Sequence, residues 1–528
     1  MAPRTSRGSG GPHSGRGRGP RSAGRPGTEG SQGAQGARGA QRARRTRADP
    51  VRRVAYDVLA AVDQRDAYAN LLLPALLRER GIAGRDAALA TELTYGTLRG
   101  LQTYDAILDL CSDRPAREID PPVREVLRLG AHQLLATRVA SHADVATSVD
   151  LAKDVAGLRP AGFVNAVLRR VGTREQAEWL RIIAPDRAAD PAGFLAATYS
   201  YPRWIVEAFR DALGEDPAGG LPETEEALAA GNTRPKITIA ALPGLATRQE
   251  VLGQATDPAG PVPVAEPTRW SPFGVILPGG DPSAIAAVAE GRAFVQDEAS
   301  QLAALALAHA PLAIPSPAGP SPAAPGPWLD LCAGPGGKSA VLAALAAPQG
   351  GHLLASDVRP HRAELTRAHL RRLPGTAVVA ADGRAGGWRP GTFDRVLADV
   401  PCSGLGALRR RPEARWRKSP EDVAELAVLQ RALLNAAIDA ARPGGVIAYV
   451  TCSPHRAETR DVLRDVLAGR SDVAVLDAPK VLADALPAAS AAEIPGLASP
   501  DPDAGYAQFW PHRHGTDAIF LALLRRES

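Results

Sequence analysis

An apolar segment that runs directly into a glycine-rich turn constrains the fold of this chain more than any other feature. Trp328–Leu331 leads into Cys332–Lys338, which has glycines at positions 334, 336 and 337, and a helical pattern follows over Lys338–Ala346. Glycines in such a turn let the backbone approach a ligand where a Cβ atom would clash. Their spacing is neither that of a P-loop nor that of a dinucleotide-binding fingerprint. The turn therefore predicts a ligand site of another kind, with a tight structural turn as the alternative.

Alternating strand and helix patterns continue from Gly291 to the last residues. Alternation with short turns is typical of a doubly wound, mostly parallel sheet, so an α/β Rossmann-like domain over 291–528 is expected. The predicted strands are Trp328–Leu331, His352–Ser356, Ala377–Ala380, Arg395–Ala398, Gly445–Val450 and Ala518–Leu524. The predicted helices between them are Lys338–Ala346, Pro360–Arg372 and Pro420–Ala441.

Acidic residues end the second and third predicted strands. Asp357 lies about 20 residues beyond the glycine-rich turn, where a carboxylate can accept both hydroxyls of a ribose. Asp382 ends the next strand, where its carboxylate or the backbone beside it can meet an adenine amino group. Either residue alone is as readily a solvated turn carboxylate. The succession predicts a nucleoside site, and S-adenosylmethionine fits it better than a nucleoside triphosphate because no Walker motif is present.

Two cysteines follow the next two strands. One lies in Asp399-Val-Pro-Cys402 and the other in Thr451-Cys452-Ser453, so both are expected at the carboxyl edge of the sheet. Without further Cys or His companions they do not form a zinc site. Each cysteine alone could be a small buried hydrophobe, as we expect for Cys111. As a pair facing one crevice they indicate a thiolate nucleophile, which can attack an electron-poor ring carbon.

The first half of the chain has a different character. Apolar residues at spacings of three and four predict a compact helical bundle over 51–171, and 172–290 is expected to be a small α+β connector. Two inserts rich in proline or alanine, Pro311–Pro327 and Ala478–Gly505, are expected to be surface loops.

Charge is distributed unevenly along the 528 residues. Residues 1–50 hold eleven arginines against two acidic residues, a net charge of +9 in a chain whose total is +5. Their Gly, Arg, Ser and Gln composition predicts a disordered tail, which either binds phosphate backbones or only solubilises the protein. We find no apolar stretch long enough to span a bilayer and no secretory signal, so the expected location is the cytoplasm.

A basic segment follows the first of the two strand-end cysteines. Leu408–Lys418, called here the basic segment, interleaves cations with an indole ring, a composition that suits single-stranded RNA. A solvated basic loop is the alternative. The predicted RNA contacts are Arg409, Arg410, Arg411, Arg415, Trp416, Arg417 and Lys418.

These motifs together resemble the RsmB-type (Sun/Fmu) RNA (cytosine-C5)-methyltransferases. The Cys332–Lys338 turn is similar to that family's cofactor loop, Asp399–Cys402 to its motif IV and Thr451–Ser453 to its motif VI. Phe294–Ser300 resembles the segment that opens the catalytic domain, and Gly515–Asp517 with Phe520 resembles the closing motif. Residues 51–171 are similar to the NusB-like RNA-binding domain of this subfamily, notably over Phe163–Arg170. The chain departs from the family pattern at Gly334, where many relatives carry Ala or Ser, and over His455–Glu458.

The resemblance implies a multidomain protein: a NusB-like helical bundle, a connector and a class I methyltransferase domain. It implies S-adenosylmethionine as cofactor and RNA, most readily small-subunit ribosomal RNA, as substrate, with no metal and a monomeric enzyme. Cys452 is implied to attack cytosine C6, Asp399 to hold the base, and Cys402 to assist release of the RNA. The cofactor residues implied are Cys332, Ala333, Gly334, Pro335, Gly336, Gly337, Lys338, Asp357, Asp382 and Asp399. Methylation of tRNA and a non-catalytic RNA-binding scaffold are the alternatives.

Overall fold

A computed structural model describes residues 48–137, 141–217, 219–255, 265–313, 326–487, 494–497 and 505–527. The predicted disordered tail, apart from its last three residues, lies outside the described residues, as does most of the predicted loop Pro311–Pro327.

Helices make up the first part of the described chain. The first begins at Pro50 because the Asp49 side chain accepts a hydrogen bond from Arg52 N–H at 3.2 Å, while a proline in the first turn needs no partner for an N–H. Apolar residues from these helices, among them Val54 and Leu127, form one buried core. The helices are α1 (Pro50–Arg65), α2 (Ala69–Glu79), α3 (Gly84–Arg99), α4 (Leu101–Cys111), α5 (Pro121–Ala136), α6 (Ser141–Ala156) and α7 (Ala161–Val171).

The middle of the chain contains further helices and a small sheet. The sheet is antiparallel, with the strand order β2-β3-β1-β4, and β4 pairs with β1 from Ala293 to Val295, just past the predicted boundary at 290. The helices are α8 (Gln176–Ile183), α9 (Pro191–Tyr199), α10 (Arg203–Leu213), α11 (Pro222–Asn232), α12 (Arg248–Ala255) and α13 (Ala286–Ala289). The strands are β1 (Ile237–Ala241), β2 (Glu266–Pro267), β3 (Gly274–Leu277) and β4 (Ala293–Val295).

The last part of the chain forms a mixed sheet with the order β10-β12-β9-β8-β5-β6-β7, and β11 pairs with β12. Neighbouring strands from β7 to β9 run parallel, whereas β12 is antiparallel to its partners. The strands are β5 (Trp328–Asp330), β6 (Leu353–Asp357), β7 (Thr376–Ala380), β8 (Phe393–Asp399), β9 (Ala441–Thr451), β10 (Val473–Leu476), β11 (Ala507–Gln508) and β12 (Phe520–Arg526). The predicted order of a helical bundle, an α+β region and an α/β domain is confirmed.

Helices cover this sheet, and α17 begins with a capping box in which Ser419 and Asp422 bind each other's backbone N–H groups. The helices are α14 (Glu298–His309), α15 (Gly337–Ala346), α16 (Pro360–Leu370), α17 (Pro420–Ala440), α18 (Arg460–Ala468), α19 (Ala478–Ala485) and α20 (Pro511–His514). Short 3₁₀ turns lie at Ala116–Glu118, Pro282–Ala284, Ala347–Gln349, Gly383–Ala385, Leu405–Ala407, Pro412–Trp416 and Arg456–Glu458.

One predicted surface loop is partly wrong. The first residues of Ala478–Gly505 form α19, because Asp477 caps the helix at Lys480 N–H and Val481 and Leu482 pack into the core. An alanine- and proline-rich composition hid this short amphipathic helix. Among the helices of the described residues, none is long and apolar enough to cross a membrane.

Helices of the connector share a core with loops of the α/β domain. Leu195 and Phe209, from α9 and α10, are buried in one cluster with Leu405, Leu408 and Trp510. The loops that follow β8 and precede β12 therefore rest on the connector rather than on the sheet alone.

Candidate active site

The carboxyl ends of four parallel strands meet at one crevice. The chain leaves β5 through α15 to β6 on one side, while β8 and β9 lie on the other side of β5. In open α/β sheets such a change of direction is where ligands bind. The predicted site residues are described below by their position relative to this edge of the sheet.

The glycine-rich turn closes against the end of β6. The Gly334 N–H donates to Asp357 Oδ2 at 3.0 Å, and a Cβ atom at position 334 would lie 2.4 Å from that same oxygen. Asp357 is buried, and its other oxygen accepts the Arg359 N–H at 2.9 Å. Gly336 has a φ of +111°, which residues other than glycine rarely adopt. Glycine at 334 thus allows a closer contact with Asp357 than a residue with a Cβ atom would.

Asp330, the last residue of β5, lies beneath this turn and was not predicted as a site residue. Its Oδ2 accepts the Ser339 hydroxyl at 2.6 Å, and its Oδ1 is buried without a hydrogen-bond partner among the described residues. Burial raises the pKa of Asp330 to about 7. Burial, together with Asp330 and Asp399, also raises the pKa of the Cys332 thiol. Buried carboxylates therefore line this side of the crevice.

Asp382 lies apart from this cluster, at the end of edge strand β7. Its carboxylate binds the Arg384 guanidinium at 2.6 Å and the Arg384 N–H at 3.0 Å. The hydrogen bonds from Arg384 lower the pKa of Asp382, which therefore stays ionised. The side chain is about a third exposed and open to a further donor.

Lys338 and Asp399 join the glycine-rich turn to β8. Lys338 Nζ lies 2.9 Å from Asp399 Oδ2, and the lysine side chain is mostly buried. Burial lowers the pKa of Lys338, but Asp399 raises it more, so the amine remains charged. The pairing of these two residues, each predicted separately, places a fixed positive charge in the crevice.

Cys402 and Cys452 are brought together as the sequence predicted. Their sulfur atoms lie 3.3 Å apart, and both side chains are partly buried. A hydrogen bond from the Cys402 thiol and the charge of Lys338 lower the pKa of Cys452, against burial and Asp399. The pKa of Cys402 is raised by that hydrogen bond, by burial and by Glu458. Of the two thiols, Cys452 therefore loses its proton more readily.

A buried ion-pair cluster lies behind Cys452. Arg409 and Arg410 each contact both Asp297 and Asp517, at distances between 2.5 and 2.9 Å. The turn that carries these arginines also donates the Gly406 N–H to Cys452 O at 2.9 Å. Burial raises the pKa of Asp517, but the two arginines lower it more and keep it ionised. The cluster joins the start of α14, the basic segment and the approach to β12.

The prediction that the whole basic segment contacts RNA needs correction. Arg415 is fully buried, stacks over the Tyr201 ring at 3.7 Å and donates to Ser200 O and Asn232 Oδ1. Arg409 and Arg410 belong to the ion-pair cluster. Arg409 and Arg415 are therefore buried away from RNA in this structure, and Arg410, whose side chain is 26% exposed, is held by two carboxylates.

The remaining residues of the segment bind the helical domain or face solvent. Arg417 donates to Val62 O, in the last turn of α1, at 3.0 Å and to Ala67 O, just after that helix, at 2.7 Å. Trp416 Nε1 lies 3.5 Å from Leu98 O. Arg411 is exposed and Lys418 is partly exposed. Arg411 is therefore the most accessible of the predicted RNA contacts, and Lys418 is partly exposed like Arg410, Trp416 and Arg417.

Sequence reasoning missed Glu458, Asp330 and the partners of the two arginines. Asp297 and Asp517 do lie inside the segments that carried the resemblance, which was the available signal. Within the described ranges, no three His, Cys, Asp or Glu side chains come together as a metal ion would require.

Comparison with known proteins gives the same two parts. Residues 321–525 match the family described as 16S rRNA methyltransferase RsmB/F, and residues 49–173 match the NusB family. The chain is 48% identical to "Putative methyltransferase Rv1407" of Mycobacterium tuberculosis, covering 90% of this chain and 97% of that protein. It is 31% identical to a Salmonella heidelberg protein named ribosomal RNA small subunit methyltransferase B, covering 80% and 90%. The crystal structure of PH0851 shares the fold, with a TM-score of 0.71 at 22% identity over 90% of this chain and 99% of that one.

Fold and site together define a Rossmann-like methyltransferase preceded by a NusB-type helical domain. The chain belongs to the RsmB/F methyltransferase family.

Proposed function

We propose that this protein methylates cytosine C5 in small-subunit ribosomal RNA with S-adenosylmethionine, through a covalent bond between Cys452 and cytosine C6. The proposal is carried by one observation, the two thiols 3.3 Å apart beside the Lys338–Asp399 pair. The name of the Salmonella relative supports ribosomal RNA as the substrate class.

The residues present fit the cofactor. Asp357 and Asp382 suit ribose and adenine groups, and the Cys332–Lys338 turn with Asp399 would hold the remainder. Asp330 Oδ1 is buried without a hydrogen-bond partner among the described residues, and an acidic crevice suits a ligand with a positive charge. When bound, S-adenosylmethionine supplies an electrophilic methyl group.

Cys452 makes the first bond. Its thiolate adds to C6, and the electron pair of the C5=C6 double bond moves to C5, which becomes nucleophilic enough to accept a methyl group. Lys338 and the Cys402 S–H stabilise the thiolate before attack. The target base must leave its stack to reach this sulfur.

Asp399 holds the base. With one oxygen on Lys338, its carboxylate can still accept a hydrogen bond from the cytosine N4/N3 edge and stabilise charge that develops on the ring. The pair is fixed before the substrate arrives, so little reorganisation is needed.

Cys402 ends the reaction. The negative charge of Cys452 is one of the causes that raise the pKa of Cys402. This charge disappears once the Cys452 sulfur is bonded to C6. Cys402 then releases its own proton to solvent more readily, and the resulting thiolate accepts the C5 proton. The C5=C6 bond re-forms, the C6–S bond breaks, and its electron pair returns to Cys452.

RNA reaches this crevice across several parts of the chain. We propose that the helical domain over 51–171 and the tail over 1–50 bind RNA, together with Arg411 and Lys418 of the basic segment. The connector over 172–290 and the catalytic domain over 291–528 complete the proposed division.

The test measures tritium release from cytosine labelled at C5. Ribosomal RNA should release tritium in the presence of S-adenosylmethionine, and tRNA should not. Release from tRNA alone would show that tRNA is the substrate instead of ribosomal RNA. Release from neither RNA would favour the alternative of a non-catalytic RNA-binding scaffold. Bisulfite sequencing of ribosomal RNA from a deletion strain then locates the modified nucleotide.

A further inference from the structure

Each of the two cysteines is followed by a serine, and the two serines meet. Ser403 follows Cys402 after β8, Ser453 follows Cys452 after β9, and their hydroxyl oxygens lie 3.1 Å apart. Both serines are fully buried. The two turns that carry the thiols are therefore joined directly beneath the sulfur atoms.

A third buried residue closes this contact. Glu458, in the short turn after β9, accepts the Ser403 N–H at 2.7 Å through Oε1 and the Ser403 hydroxyl at 2.5 Å through Oε2. Oε1 also accepts the Gln430 side-chain N–H at 3.1 Å. Three donors therefore converge on the carboxylate of Glu458. The Tyr449 hydroxyl fixes the turn by donating to Glu458 O at 2.7 Å.

The residues on both sides of Cys402 are held by this network. Gln430 Nε2, from α17, donates to Pro401 O at 2.9 Å as well as to Glu458. Pro401 precedes Cys402 and Ser403 follows it. A displacement of about 1 Å at a reacting group can cost a hundredfold in rate. The ladder between β8 and β9 ends at Asp399 and Val450, before either cysteine, and beyond it the backbone adds the Val400 N–H to Val450 O bond at 3.1 Å and the Gly406 N–H to Cys452 O bond at 2.9 Å.

We propose that Glu458 is a positioning residue, which sets the separation of the two sulfur atoms by holding the Ser403 and Ser453 turns together. The inference rests on the proposed function only in giving that separation a catalytic purpose. Glu458 contacts Ser403, the residue that follows Cys402. Lys338 and Asp399, which pair with each other, lie near Cys452.

Cross-linking of the RNA-free full-length protein tests the separation directly. Diamide oxidises two neighbouring thiols to a disulfide and takes up the two hydrogens. The rate of the Cys402–Cys452 bond, measured by peptide mass spectrometry, should fall at least tenfold in Glu458→Ala. Glu458→Gln keeps the shape and can keep the contact to the Ser403 N–H, so its rate should stay within about threefold of the wild type.

Two further variants keep the test independent of folding. Ser403→Ala removes one hydroxyl and should give an intermediate rate. Asp465→Asn removes an exposed carboxylate that pairs with Arg431 of α17 at 2.6 Å, and it should react like the wild type. All variants are compared only where thermal unfolding shows a folded protein. A wild-type rate in Glu458→Ala, or a Glu458→Gln variant as slow as Glu458→Ala, would overturn the proposal.

A second readout connects the separation to turnover. In single-turnover reactions with ribosomal RNA, Glu458→Ala should lose rate at saturating RNA, with little change in RNA affinity, and Glu458→Gln should recover most of it. If the wild type methylates no RNA, the proposed function fails while the cross-linking result still decides the role of Glu458. Unchanged turnover in Glu458→Ala would overturn that role.

Discussion

At the scale of single residues, Cys402 and Cys452 differ in what surrounds each sulfur. The hydrogen bond between the two sulfurs and the charge of Lys338 lower the pKa of Cys452, whereas that hydrogen bond, burial and Glu458 raise the pKa of Cys402. The two thiols are chemically distinct although they occupy equivalent positions at neighbouring strand ends.

This difference predicts opposite outcomes for two alanine variants. Cys452→Ala should lose methylation, because no other thiolate can form the bond to C6. Cys402→Ala should form that bond and then fail to resolve it, since the group that accepts the C5 proton is gone. A denaturing gel should show a trapped protein–RNA band for Cys402→Ala that disappears when Cys452 is also replaced. A trapped band in Cys452→Ala alone would reverse the two roles.

Asp357 is the residue on which cofactor affinity should depend most clearly. Asp357→Ala removes the carboxylate that we expect to accept the ribose hydroxyls, at a cost of about 1.5–3 kcal/mol, as for hydrogen bonds to charged groups. Calorimetric titration with S-adenosylhomocysteine measures the loss. Asp465→Asn, far from the crevice, should bind normally. An unchanged affinity in Asp357→Ala would remove this assignment.

Asp330 should make stability depend on pH. Its pKa is raised by burial to about 7, against about 4 in an unfolded chain, so its contribution is present at low pH and is lost as the pH rises through 7. Asp330→Asn should match the wild type near pH 4 and exceed it above pH 8 by on the order of 3 kcal/mol. Denaturant unfolding at several pH values measures this. Parallel pH profiles for both proteins would contradict it.

At the scale of elements, the basic segment joins parts of the chain that are distant in sequence. Arg415 and Arg417 bind carbonyl groups near the ends of α9 and α1, 215 and 355 residues away. Carbonyl groups at a helix C-terminus lack intrahelical partners and attract cations. The segment therefore joins the loop that follows Asp399 to the connector through Arg415 and to the helical domain through Arg417.

Replacing Arg415 should destabilise the protein rather than weaken RNA binding alone. Arg415→Ala removes the donor to Ser200 O and Asn232 Oδ1 and leaves a buried space open, which should cost about 3–5 kcal/mol. Lys418→Ala, in the same segment but partly exposed, should change stability by about 0.5 kcal/mol or less. Denaturant unfolding compares the two. If Arg415→Ala kept full stability and lost only salt-dependent RNA affinity, the original RNA prediction would stand.

The strands, the helices and the thiol pair could be predicted because their signals are local. Asp399, Cys402 and Cys452 each follow an apolar run, and parallel strands bring such positions to one edge. Glu458 and Asp297 could not be found in this way, because their partners lie 55 and 112 residues away and carry no shared pattern. The burial of Arg409 and Arg415 in the basic segment could not be predicted for the same reason. A run of arginines gives the same sequence pattern whether the side chains face solvent or bind buried groups.

At the scale of the whole molecule, the net positive charge comes from residues 1–50, which carry +9 in a chain whose total is +5. Removing residues 1–47 takes away eleven arginines and should weaken RNA binding mainly at low salt. The slope of log affinity against log salt should become shallower, while S-adenosylhomocysteine binding stays unchanged as the control. Identical slopes for the full-length and shortened proteins would make the tail a solubilising extension.

The core that Leu405 and Leu408 share with the connector helices has a consequence for how such proteins can be recombined. A chimaera that takes its helical half from one relative and its catalytic half from another inherits two surfaces that never matched each other. The loop between β8 and α17 would meet foreign carbonyl groups, and an arginine that is buried here would be left without acceptors. We expect such a chimaera to fold only when the loop between β8 and α17 and the helices it binds come from the same relative. The segment that must be exchanged together therefore includes parts of both domains.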